Sequence, residues 1–180
     1  SLQHPDTTIG ESVSSACMPS SHDRQTILSA MAFATATDDA VLLVVAMLDR
    51  QSHAVHASHA RLVTQDAAVH FGAQSLALDS TSFRLAPGMM AFGVRFSSDA
   101  RGASCADWAW SQELTLYTQH GELLVPVLNG LAMEHRQALK GCLGTAATGS
   151  SLVAEAILSI RPLRARTNGL SDLHVTCLLY

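Results

Sequence analysis

Charge is scarce in this chain. Charged residues make up only 14% of it, and Lys140 stands alone against ten arginines. Hydrophobic residues reach 48%. That balance excludes a disordered chain, which needs low hydrophobicity and high charge. It also argues against a coiled coil, which is rich in Glu, Lys and Arg. A formal net charge of −4 leaves no electrostatic case for nucleic acid. Long apolar runs are missing as well. The longest, Ala40 to Leu48, is bounded by Asp38, Asp39, Asp49 and Arg50. It is far short of the roughly 18–20 residues a membrane-crossing helix needs, so no such span is expected.

Other signals are absent too. The first residues lack the basic start and apolar centre of a secretion signal. Neither Asn129 nor Asn168 sits in an N-x-S/T sequon. The expected location is therefore cytoplasmic, with an extracytoplasmic one as the alternative. Cys17, Cys105, Cys142 and Cys177 are scattered, with no C-x-x-C pair. A chain of 180 residues can build a core without disulfides, so four reduced and mostly buried thiols are expected, two disulfides being the alternative.

Catalytic signatures are equally thin. No G-x-S-x-G elbow and no G-x-G-x-x-G occur, and Gly149-Ser150-Ser151 fits neither. Gly141-x-x-Gly144 lacks the phosphate-loop lysine. The expectation is no enzyme, no catalytic residue and no cofactor. His53, His56 and His59 form the most suggestive cluster, because imidazole ligates zinc, copper and nickel. Their spacing does not aim all three at one ion on either a helix or a strand. No metal site is assigned.

What is present is alternation. Residues 1–22, rich in Ser, Thr, Pro, His and Asp, read as a flexible tail, and 23–180 as one domain. Thr26 to Thr37 fits a strand or a helix. Val41 to Leu48 reads as a central strand. After Pro87-Gly88, the residues Met90, Phe92, Val94 and Phe96 share one face of a strand. Glu113–Thr118 and Glu122–Leu128 flank His120-Gly121 as a hairpin, with Pro126 demanding an edge or a bulge. Asn129-Gly130 should end that arm, and Leu131 to Lys140 reads as a short helix stopped by Gly141. Gly144 to Ser151 reads as a loop of small residues. Two further strands follow, over Leu152–Ile160 and Leu173–Leu179, separated by a basic turn from Pro162 to Gly169. The sum is a mainly β chain of about eight or nine strands with one or two short helices, a spacing that suggests a β-sandwich or barrel.

One stretch says more. Phe83-Arg84-Leu85-Ala86-Pro87-Gly88, the alternating Phe92, Val94 and Phe96, and Glu122-Leu123-Leu124-Val125-Pro126-Val127-Leu128-Asn129-Gly130 follow one another, preceded by Val69-His70-Phe71-Gly72. Residues 69–130 resemble immunoglobulin-like domains of the major-sperm-protein, PapD and Hydin type. The resemblance implies an immunoglobulin-like β-sandwich and a non-enzymatic binding module of a cytoskeletal, centrosomal or ciliary protein. It transfers no catalytic residue.

The expected function is a protein-interaction or structural module, its partner a protein or a second copy of the chain. An extracytoplasmic adhesion or assembly protein and an enzyme with a loop-built site are the alternatives. Candidate contact residues are Trp108 and Trp110, which point the same way on a strand, and Arg161, Arg164 and Arg166 in the basic turn.

Overall fold

A computed structural model describes residues 9–143 and 151–180. The first eight residues of the expected tail, Gly144 to Ser150 of the expected loop, and the motif positions Gly144, Gly149 and Ser150 lie outside the described residues. In chain order the strands are β1 (Ser12–Pro19), β2 (Thr26–Ala34), β3 (Ala40–Asp49), β4 (Val55–Thr64) and β5 (Leu76–Ala86), then β6 (Met89–Phe96), β7 (Trp108–His120), β8 (Leu123–Lys140), β9 (Leu152–Thr167) and β10 (Leu170–Leu179). β1 falls within residues that read as tail.

Two expectations are overturned. The described residues contain no helix, and the strands do not form an immunoglobulin-like two-sheet sandwich. They form one continuous sheet in the order β1-β2-β3-β4-β8-β7-β6-β5, with β9 and β10 added beyond β8. The sheet curls into a nearly closed barrel. β1 returns to β5, where the Leu76 N–H donates to Ser14 Oγ at 3.1 Å and that hydroxyl donates to the Ala73 carbonyl at 3.4 Å.

Local sequence explains most of the elements. In β2, Thr26, Leu28, Ala30 and Ala32 are buried at every second position, the period of a strand with one face inward. β3 buries Val41, Leu43 and Val45 in the same core. Phe92 and Val94 join them from β6 and Tyr117 from β7. On the opposite face of β5–β8, a second core gathers Phe83, Leu85, Ala91, Leu114, Leu116 and Met133. Leu158, Ile160 and Leu173 cover it from β9 and β10.

The expected helix over Leu131 to Lys140 is the second half of β8. It pairs with β7 on one side and β9 on the other. Ladder bonds on both edges and burial of Met133 outweigh its helix-compatible composition. The expected stop at Asn129-Gly130 is a bulge within β8. Gly130 takes φ +65° and its N–H donates to Thr115 Oγ1 at 3.2 Å, so the chain bends and continues. A second register shift falls where Tyr117 pairs with Pro126, as the missing proline N–H requires. The hairpin loop is Gly121-Glu122, since His120 pairs with Leu123. The basic turn is mostly strand: only Asn168-Gly169 turns, both at positive φ, and the residues before it belong to β9.

Candidate functional site

β8 and β9 pair where β7 begins, and this sets the environment of the tryptophans. Trp108 pairs with Gln137 and Trp110 with His135. Gln137 in turn pairs with Ala154, and His135 with Ala156, which pairs with Leu179 of β10. Paired residues share a face of the sheet. Two rungs of side chains, Trp108–Gln137–Ala154 and Trp110–His135–Ala156–Leu179, therefore share this face. Beside them lies an open trough of about 370 Å³ floored by Ala154 and Ala156, with Trp108 on one wall and Leu179 on the other. Trp108 is 64% exposed and Leu179 77% exposed, whereas Trp110 is half-buried.

The far face of this region is apolar as well. Leu178 pairs with Ile157, and both are exposed. β10 pairs only with β9, so its outer backbone edge carries no strand among the described residues. Arg161, Arg164 and Arg166 are exposed on β9. Arg161 lies seven residues beyond Ala154, about 23 Å along an extended strand. The structure does not bring the arginines to the tryptophans.

The histidines do not converge. His53 sits in a turn at φ +58°, and His56 opens β4 with its Nε2 4.0 Å from Asp49 Oδ2. His59 faces the barrel interior, 5.4 Å from the Tyr117 ring. Burial and the nearby Arg61 push its pKa below the usual histidine value. Among the described residues no group of three or more His, Cys, Asp or Glu is placed to hold a metal ion. The thiols divide two ways: Cys105 and Cys142 form a disulfide with Cα atoms 5.1 Å apart, while Cys17 and Cys177 are free and exposed. The expectation of four reduced, mostly buried thiols is corrected here.

A second concavity lies at the other end of β7. It has a volume of about 560 Å³ and is bounded by the ends of β1, β3 and β7, the starts of β2, β4 and β6, and the middle of β5. Its floor includes Leu28 and Phe92, with Met18, Met47 and Met90 on its walls. At the rim Asp23 accepts from Thr26 Oγ1 at 2.7 Å and from the Gln25 N–H at 2.9 Å. These donors hold its carboxyl below the ordinary range. Asp79 also lines the cavity, but Arg95 donates to its Oδ2 from two nitrogens. Sequence reasoning missed this cavity. Met18, Met47 and Met90 stand on separate strands, and only closure of the sheet unites them.

Comparison with known proteins finds no match: no protein-family model, no curated protein and no solved structure matches this chain.

Proposed function

We propose that this chain is a non-catalytic protein-interaction module whose docking element is the open edge of β10 and the trough beside it. One observation carries the reading. The strand whose outer edge is unpaired also exposes apolar side chains on both of its faces, Leu178 on one and Leu179 on the other. Such an edge is a template for another strand, and Trp108, on the opposite wall of the trough across β8 and β9, supplies the residue type most enriched at binding hot spots.

A second copy of the chain suits the edge. Two β10 strands laid antiparallel about a two-fold axis would place the same apolar residues against one another. Sedimentation equilibrium tests this. A reversible dimer is expected, and Trp108→Ala should raise its Kd roughly 30-fold, about 2 kcal/mol, with an unchanged melting temperature. A chain that stays monomeric at every concentration, or a variant that dimerises like the parent, rejects the reading.

The extracytoplasmic adhesion or assembly role is a second reading, favoured by the Cys105–Cys142 pair, since disulfides persist in oxidising compartments. A thiol count on protein isolated from its native source without reductant separates the two. Two free thiols favour the second reading; four remove its support.

A further inference from the structure

We propose that the open barrel end is a binding site for a small amphipathic amine, its apolar body held inside the barrel and its ammonium group at Asp23. This site is independent of the β10 edge. Thr118 lines it and Trp108 lines the trough, ten residues apart on β7, about 33 Å of extended strand.

Volume, lining and charge each bear on the assignment. The cavity of about 560 Å³ falls in the size range of sites that enclose a small organic ligand. Its floor is apolar, with Leu28 and Phe92 buried. Met18, Met47 and Met90 are unbranched and polarizable, so they adapt to a flexible apolar body.

The rim sets the sign of the head group. Among the described residues no lysine or arginine lines the cavity. Of its two carboxylates, Asp79 is already neutralised by Arg95, its Oδ2 lying 2.6 Å from the guanidinium. Asp23 is different. Its donors are an uncharged hydroxyl and a backbone N–H, so it keeps a full negative charge in a fixed orientation. The short rim side chains Ser20, Ser21 and Ser82 leave room for a head group beside it. A cationic head gains from Asp23, whereas an anionic one is repelled by it; the basic groups of the lining are the imidazoles of His22 and His56.

Decyltrimethylammonium and decyl sulfate, below their micelle concentrations, are the matched probes. Calorimetry should give one site for the cation and at least ~10-fold weaker binding of the anion. Asp23→Asn should bring the two affinities to within about threefold. Met90→Arg should abolish binding of the cation. The methyl resonances of the six methionines provide a readout on the unmodified protein. Those of Met18, Met47 and Met90 should shift on adding the cation, and those of Met31, Met89 and Met133 should not. Equal affinity for the two probes, no binding, or shifts spread over all six methyls would overturn the assignment.

Discussion

At Gly93 a side chain has nowhere to go. A Cβ there would lie 2.8 Å from Asp79 Cβ and 2.8 Å from Leu114 Cδ1. Gly93→Ala should therefore cost roughly 1–3 kcal/mol by overpacking, measured as a shift in urea midpoint at constant slope. An unchanged midpoint would show that β5 and β7 yield at this point. The Asp79 beside it is held by balance. Burial pushes its carboxyl pKa up, but the Thr81 N–H and the Arg95 guanidinium outweigh that and leave it below the ordinary value. A depressed folded pKa contributes stability above the unfolded value and loses it as pH falls through the folded one. Arg95→Met should thus destabilise by about 2–3 kcal/mol at neutral pH, with a deficit that shrinks in acid. A deficit independent of pH would mean that packing, not charge, is lost. Glu113 has the opposite sign. Burial raises its pKa, with Arg61 opposing. Its ionisation therefore disfavours the folded state as pH rises from the unfolded value through the folded one. Glu113→Gln should raise the melting temperature at pH 7 and have little effect near pH 4; a loss of stability at pH 7 would contradict this account of Glu113.

Strands declare themselves where large and small side chains alternate and are lost where the neighbours decide. Phe92 and Val94 were legible as core residues because the polar or small positions between them break the apolar run. Phe92→Ala should cost about 3–5 kcal/mol, and a soluble variant with the parent's melting temperature would show that this strand packs differently. β8 was not legible. Its second half has the composition of a short helix, and its Asn-Gly pair is the commonest turn signal. Nothing local reveals that β7 and β9 flank it. β1 was hidden for the same reason: three serines break up the apolar residues of Ser12 to Pro19, and it is a strand through its pairing with β2. Of the candidate contact residues, Trp108 and Trp110 share a face as the alternation required. The arginines were placed in a turn because Pro162 reads as a breaker. Proline is tolerated in β9 at a register shift, where Leu173 is its partner and Asp172 is passed over.

The closure of the sheet is a property of the whole chain. β4 meets β8 through a single parallel pair, Ser58 and Leu123, far apart in sequence, and β1 meets β5 through one serine. No motif marks either junction, so alternating strands read equally well as a sandwich. The same distance hid the end cavity and the trough between Trp108 and Leu179. Cys105–Cys142 spans 37 residues and fastens the segment before β7 to the one after β8, beside the Ala106–Leu143 bridge. Loop-closure entropy for that span is about 4 kcal/mol. Reduction should lower the stability by an amount of that order, and Cys105→Ser should match the reduced protein; a reductant-insensitive melting temperature would contradict the pairing. Amide hydrogen exchange reads the open edge of β10 directly. The β10 N–H groups that point away from β9 should exchange rapidly in dilute protein and slowly in concentrated protein, while those of β2 stay protected throughout. Exchange at β10 that does not change with protein concentration would contradict the claim that this edge is where a second copy docks.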